Sequence, residues 1–349
     1  MFCLAACDRF ASEPFPVTRT EISVGYGTMR NGAQSIGWID DQRLAVLVGE
    51  RKDTTPRQSG REIQSLQFWD AQSKTLTPLV PADVAGLCVS GNYLRLHVRH
   101  RNVGGGITPK FFAGPVESIR PSDTGPFNPM NCRLLKDQSL PEWTQGLPEK
   151  DVLRLRPEHG FIAIEREGQT PWARSVMFYR PGVQRGRGVE LYDQFAGLNG
   201  SARIDIWPQY VEFAHAYILG RSQAKDVPIW LDPLARRSNW PLMPMSSDSR
   251  LPNHLGGGMW HPTGRGAVIG VAPIDIRTPG KGGLYLHQPG APPKRIVSGR
   301  IGKEIRVSPN GCLVAYGNDD RESIVIGPPG SGVLHYKLQV IDLCQPKLR

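Results

Sequence analysis

The sequence predicts an all-β fold of the β-propeller type, and three observations carry this prediction. Glycine and proline are abundant, with 39 Gly and 31 Pro in 349 residues, which is typical of short strands joined by turns. Apolar residues seldom recur at helical spacing for more than about ten residues before a Gly or Pro interrupts them. Strand, turn and strand patterns return at intervals of about 45 residues, a period expected for propeller blades.

The clearest copy of this pattern lies near the carboxy terminus. Residues 304–307 form a short predicted strand, 308–311 read Ser-Pro-Asn-Gly, 312–316 form an apolar strand, and 338–343 alternate again. The glycine favours a tight turn because it tolerates positive φ. This pattern resembles the TolB-like propeller repeat, whose blades commonly read Ser-Pro-Asp-Gly, then a strand of the Ile-Ala-Tyr type, then a strand ending in Asp-Leu.

Weaker copies upstream extend the pattern along the chain, for example over residues 36–79 and 258–297. Six four-stranded antiparallel blades fit the length, at roughly 35–80, 84–140, 151–193, 202–244, 256–298 and 303–345. The last blade has three strands of its own. We expect the strand at 17–24, within segment 17–28, to complete it as the outermost strand and so to close the ring. The alternatives are seven blades, an irregular ring with insertions at 51–61 and 104–131, and a two-sheet sandwich.

The amino terminus carries a second resemblance. Leu4-Ala5-Ala6-Cys7 resembles the lipobox of bacterial lipoproteins, which implies that Cys7 is acylated and that residues 1–16 form a lipobox and tether ahead of a single domain at 17–349. Six residues precede Cys7, fewer than a signal peptide needs, so either a longer precursor exists or the match is chance. The resemblance implies a lipid-anchored periplasmic protein that meets the membrane only through its anchor, and the alternative location is the cytoplasm.

Four cysteines remain after Cys3 and Cys7, and an even number fits an oxidising compartment. Cys312 begins one predicted strand and Cys344 ends the next clear one, so antiparallel pairing would place them opposite each other. Cys88 and Cys132 are the remaining pair, for which strand register offers no argument. The alternative is four buried thiols.

The formal charge of +10 and the pI near 9.5 predict attraction to acidic partners. No nucleic-acid-binding motif accompanies this charge, so no nucleic acid is expected as a partner. Nucleophile elbows, zinc-protease helices, phosphate loops and dinucleotide fingerprints are all missing from the sequence. We therefore predict no catalytic residue, no metal site and no cofactor, and an enzyme is the less favoured class.

Three sequence features are candidate contacts for a partner. Residues 93–101 alternate strictly and place Arg95, His97 and Arg99 on one face of a strand, which predicts a basic face. Residues 180–188 form a basic, glycine-rich loop. The candidate residues in this loop and among the tryptophans are Arg180, Arg185, Arg187, Trp230 and Trp240.

The leading functional hypothesis is a monomeric, non-catalytic envelope lipoprotein whose propeller binds a protein, such as a toxin or a secreted hydrolase. Its sharper form is an immunity protein that neutralises an antagonistic toxin. In that case charge reversal at Arg185 and Arg187 should weaken binding. The alternatives are a propeller that binds or hydrolyses envelope glycans, with tryptophans as stacking platforms, and a cytoplasmic interaction scaffold.

Overall fold

The protein is all-β, as a computed structural model of the chain shows, and its strands form six antiparallel sheets in the described residues. Those residues are 15–25, 34–50, 63–80, 83–128, 131–137, 139–168, 170, 172–195, 202–203, 206, 208–221, 228–234, 260–271, 282–288, 291, 293–319 and 336–345. Four of the six sheets have four strands, which confirms the predicted all-β class with four-stranded antiparallel sheets.

The sheets are named S1 to S6 in chain order, and each is built on a meander of consecutive strands, to which S6 adds β1 beside β24 and S3 adds β14 beside β12. S1 contains β2 (Ile36–Trp38), β3 (Arg43–Glu50), β4 (Ile63–Asp70) and β5 (Leu76–Val80). S2 contains β6 (Val84–Ser90), β7 (Tyr93–Arg101), β8 (Ile107–Pro115) and β9 (Arg120–Pro121). S3 contains β10 (Val152–Arg154), β11 (Phe161–Arg166), β12 (Trp172–Tyr179), β13 (Val189–Glu190) and β14 (Ala202–Arg203).

The second half of the chain continues the same pattern. S4 contains β15 (Gln209–Val211), β16 (Ala216–Arg221) and β17 (Pro228–Leu231). S5 contains β18 (Trp260–Thr263), β19 (Gly266–Val271), β20 (Gly283–His287) and β21 (Lys294–Ser298). S6 contains β22 (Arg300–Val307), β23 (Leu313–Asp319), β24 (Lys337–Asp342) and β1 (Val17–Ser23). The described helices are α1 (Tyr192–Phe195) and 3₁₀ turns at Val116–Ser118, Leu135–Asp137, Glu142–Gly146, Glu149–Asp151 and Glu212–Ala214.

The amino-terminal strand β1 lies at the outer edge of the last sheet. It pairs antiparallel with β24, with Val17 opposite Ile341 and Arg19 opposite Gln339. The Thr20 hydroxyl also donates to the Leu338 carbonyl at 2.8 Å. Both ends of the described chain therefore belong to S6. The sequence predicted this position for the strand at 17–24, as the outermost strand of the last sheet.

Apolar side chains between the sheets form the core. One buried cluster contains residues of S3 and S4, another joins S1 to S2, another joins S6 to S1, and another joins S5 to S6. S2 is joined to S3 by Asn128 and Asn131, whose side-chain amides donate to the carbonyls of Arg154 and Leu155. Each sheet thus packs against the next in the order S4, S3, S2, S1, S6 and S5. This succession of neighbouring sheets is a propeller-like arrangement.

Two disulfides tie parts of this array together. Cys88 bonds to Cys132, with Cα atoms 5.7 Å apart, and Cys312 bonds to Cys344, with Cα atoms 5.2 Å apart. Both predicted pairings are confirmed. Disulfides persist in oxidising compartments, so they indicate a non-reducing, extracytoplasmic environment. Among the described helices none has the length and apolar character needed to cross a lipid bilayer.

S4 differs most from its predicted repeat. The sequence starts this repeat at residue 202, but β14 pairs with β12 of S3 through Trp172 opposite Arg203. The first strand of S4 itself begins at Gln209, and its described strands number three. A two-residue strand carries too little pattern for its partner to be read from sequence.

Candidate functional site

Each sheet has two ends, because consecutive turns of an antiparallel meander lie at opposite ends. We call the end where the first strand turns into the second the first-turn end, and the opposite end the second-turn end. In S6, S1 and S5 the first turns meet. The Asn310 amide donates to Asp41 Oδ1 at 2.7 Å, and the Gly264 amide donates to the Gly311 carbonyl at 3.0 Å.

The first turns of S3 and S4 also meet, through an ion pair between Arg156 and Glu212. The Arg156 guanidinium carbon lies 3.9 Å from the centre of the Tyr210 ring. His159, in the same S3 turn, shares a 2.8 Å hydrogen bond with the Tyr217 hydroxyl. Burial lowers the pKa of His159 and raises that of Tyr217. This cluster therefore holds two sheets together with groups that remain uncharged apart from the ion pair.

S2 has the same orientation. Cys88 lies three residues before the first turn of S2, and its disulfide partner Cys132 follows Asn131, whose amide donates to the Leu155 carbonyl at the start of the S3 first turn. Gly37, two residues before the first turn of S1, lies so close to Val89, two residues before the first turn of S2, that a Cβ added at Gly37 would meet Val89 Cγ2 at 2.6 Å. All six first turns therefore lie toward one end of the array.

The second-turn end carries a projecting arm. Val98 is the last residue of β7 that pairs with β6, and beyond it β7 and β8 continue as a two-stranded hairpin, residues 99–110, here called the arm. Asn102 closes the tip of the arm through three hydrogen bonds. Its backbone amide donates to the Gly106 carbonyl, its carbonyl accepts the Gly105 amide, and its side-chain amide donates to the Thr108 hydroxyl. Val103 at the tip is fully exposed, and Ile107 is 41% exposed.

The basic strand face predicted at Arg95, His97 and Arg99 is covered at its inner end, so the expectation of an open face needs correction. Arg95 is 1% exposed. Its Nη2 donates to the carbonyls of Asp123 and Gly125 at 2.8 and 3.1 Å, and the Phe127 ring lies 5.1 Å from its guanidinium carbon. The segment after β9 covers this part of the strand and is held there by the Cys88–Cys132 disulfide. Strand alternation gives the face of a residue but not what covers it.

The other two residues of this face are partly buried. His97 stacks on Phe111 with ring centres 4.9 Å apart, and burial lowers its pKa. Arg99 pairs with Asp83 at 2.9 Å. Among the described side chains of the arm, the exposed basic ones are His100 and Lys110.

The basic loop at 180–188 joins β12 to β13 and therefore lies at the first-turn end. Arg185 is 63% exposed, lies 3.5 Å from Glu165, and has its guanidinium carbon 5.7 Å from the Trp143 ring. Arg187 is exposed and Arg180 is partly buried. The loop is thus an accessible basic surface, as the sequence suggested, but the structure does not bring it together with the arm.

The two candidate tryptophans have different outcomes. Trp230 is 4% exposed and packs with Val211 and Ala216, so its predicted role as a surface contact is corrected to one in the core. Trp240 lies outside the described residues. Trp172, a third tryptophan, is 41% exposed. Tryptophan packs well in either setting, so composition alone does not separate the two.

A second polar cluster is formed by Glu304 and Arg306, on the first strand of S6, with groups at the first strand of S1. Glu304 Oε2 accepts the Ser35 amide at 2.6 Å, and its Oε1 accepts Arg306 at 3.1 Å. The Trp38 indole donates to the Arg306 carbonyl at 3.0 Å. Burial raises the pKa of Glu304. Because these groups are engaged with one another, the cluster joins S6 to S1.

His261 on β18 lies at the edge of this cluster and is 2% exposed. Burial, with a smaller contribution from Arg306, lowers its pKa to about 3, so the imidazole is neutral at ordinary pH. Its Nδ1 has no hydrogen-bond partner among the described residues. Within the part of the chain that the structure describes, no group of three His, Cys, Asp or Glu side chains is placed to hold a metal ion.

The predicted acylation site Cys7 lies outside the described residues, as does the whole lipobox. The arm itself was missed by the sequence reasoning. Its signal was Val103 next to Gly104, Gly105 and Gly106, between two alternating segments, which read simply as an insertion.

No family model matches the chain, and no curated protein matches it. Three solved structures show a weak likeness. "Structure of U3-55K" is 11% identical, with 93% of this chain and 100% of that chain covered and a TM-score of 0.34. "Crystal structure of RRP9 WD40 repeats" is 11% identical, with 94% and 99% covered and a TM-score of 0.33. The catalytic domain of the Coprinopsis cinerea GH62 alpha-L-arabinofuranosidase is 10% identical, with 95% and 97% covered and a TM-score of 0.28. These values assign the chain to no family.

Proposed function

We propose that the protein is an extracytoplasmic, non-catalytic protein-binding module, built as a six-bladed propeller over residues 17–349. S4 and S5 stand at the two ends of the line of packed sheets, and their contact would close the ring. The pairing of β1 with β24 supports closure, because it leaves S6 with the same number of strands as S1, S2 and S5. A ring also removes exposed sheet edges.

The arm is the observation that carries this function. An apolar side chain at the fully exposed tip of a projecting hairpin gains nothing in the isolated molecule. Burying a valine against a partner is worth about 1.5–3 kcal/mol. A protein partner with an apolar recess would supply that burial.

Charge defines the kind of partner. The chain carries +10, and His100 and Lys110 on the arm are exposed. A positive surface of this kind accelerates encounter with acidic proteins. We propose an acidic protein partner, and in the sharper form a secreted toxin or hydrolase that the propeller neutralises while anchored through Cys7. The burial of Trp230 removes one of the two tryptophans that the glycan-acting alternative named as stacking platforms.

A crosslinked pull-down from the native host, with the partner identified by mass spectrometry, tests this function. The wild type is compared with Val103→Asp and with the control Leu234→Asp. The Leu234 side chain is 66% exposed and follows β17 at the first-turn end of S4. We expect one stoichiometric protein, with recovery reduced about tenfold in Val103→Asp and unchanged in the control. Failure to recover any protein with the wild type would overturn the proposal.

A further inference from the structure

We infer that the second-turn end is the docking end of the molecule, and that Trp172 forms a second apolar anchor beside the arm for one acidic protein partner. This inference rests on the proposed function and adds to it the surface that is used. The face formed by the arm and Trp172 is called the arm–Trp172 surface.

The first step is the distribution of exposed apolar side chains. In the described part of the chain four large ones are exposed, namely Val103, Ile107, Trp172 and Leu234. Trp172 is the first residue of β12, directly after the second turn of S3. Val103 and Ile107 belong to the second turn of S2. Three of the four therefore lie at one end, on two neighbouring sheets, and such grouping is typical of an interaction site.

The second step is the condition of the opposite end. There the first turns are bonded to one another, through Asp41 with Asn310 and Arg156 with Glu212. A partner that used these groups would first have to break the bonds that hold neighbouring sheets together. Binding to the arm at the second-turn end breaks no such bonds, because the side chains at the tip of the arm face solvent.

The third step is the fixed position of Trp172. The Trp172 amide donates to Thr170 Oγ1 at 3.3 Å, and its carbonyl accepts the Glu167 amide at 3.0 Å. Its pairing with Arg203 holds it further. A tryptophan on a backbone held in this way loses little freedom on binding, which is a property of residues that dominate interface energies.

Charge selects the occupant. His100 lies two residues before the tip of the arm, Lys110 lies at its base opposite Val98, and both are exposed. Near Trp172, Arg174 is 68% exposed and lies 3.5 Å from Glu167, which is 62% exposed. An ion pair between two such exposed side chains is weak, so Arg174 can leave Glu167 and pair with a carboxylate of the partner protein. The complementary surface is an apolar recess bordered by carboxylates, presented by one protein that spans S2 and S3.

Site-specific photocrosslinking in the native host tests the inference. A photoreactive phenylalanine analogue is placed at position 103, 172 or 234 of the full chain, and adducts are identified by mass spectrometry. We expect the same protein to be captured from 103 and 172 and not from 234. Capture from 234, or from 103 without 172, would overturn the inference while leaving the proposed function in place. Absence of any adduct together with an empty pull-down would overturn the proposed function as well.

Affinity provides the second readout. With the protein recovered from the pull-down, Trp172→Ala is expected to weaken binding at least tenfold, and Leu234→Ala to leave it within about twofold. Both side chains are exposed, so both variants should fold. Wild-type affinity in Trp172→Ala would refute its role as an anchor.

Discussion

Replacing His261 should make the stability of the protein less sensitive to acid. The folded pKa of His261 is about 3, whereas an unfolded histidine has a pKa of about 6.5. Because the folded pKa is depressed, the contribution of the neutral imidazole is fully present above the unfolded value and is lost as the pH falls below it. At pH 5 the folded imidazole is still uncharged, and the loss from this group is about 2 kcal/mol.

The assay is urea unfolding of wild type and His261→Leu at pH 8 and pH 5. The fall in the free energy of unfolding between these two pH values should be smaller by about 2 kcal/mol in the variant. His100→Leu is the matched control, since His100 is exposed on the arm, and it should show the wild-type difference. Equal falls in wild type and His261→Leu would refute the reasoning that a buried, neutral His261 opposes acid unfolding.

Three further predictions concern crosslinking, binding and pH. Replacing both Cys88 and Cys132 by Ala should lower the free energy of unfolding by up to about 4 kcal/mol, because the bond closes a loop with a sequence separation of 44; a loss below about 1 kcal/mol in chemical denaturation would contradict this. Charge reversal at Arg185 and Arg187, which lie at the end opposite the arm, should slow association with the acidic partner by up to about tenfold at low salt through long-range attraction and leave the dissociation rate unchanged, as surface plasmon resonance can measure; an unchanged association rate would contradict this. Burial raises the pKa of Glu304 above 4.5, so stability from this group is present below 4.5 and is lost as the pH rises through the folded pKa. Thermal unfolding of Glu304→Gln should therefore show a gain relative to wild type that grows from pH 4.5 upward, and a constant difference would count against it.

Local features of the fold were readable from sequence because they depend on neighbouring residues. The Ser308-Pro309-Asn310-Gly311 turn joins β22 to β23, and Gly311 has a φ of 76° as the turn requires. Alternation predicted β7 and β24. The Cys312–Cys344 disulfide followed from the same reasoning, since Cys312 precedes β23 and Cys344 follows β24, its antiparallel neighbour.

The candidate site was harder to predict, because exposure depends on segments distant in the chain. Arg95 and Arg99 have the same sequence pattern, yet the segment carrying Asp123 and Gly125 buries the first, and Asp83 pairs with the second. Trp230 and Trp172 are equally apolar, and only packing made one a core residue and left the other exposed at the surface.

By itself the sequence determined the all-β class, the spacing of its strands, the basic charge and the Cys312–Cys344 pairing, since composition, alternation and turn chemistry act over a few residues. Only the tertiary structure decided which end of the sheets is free. Bonds such as Asn310 with Asp41 join turns that are 269 residues apart in the chain. They engage the first turns of neighbouring sheets, whereas the arm and Trp172 face solvent at the other end.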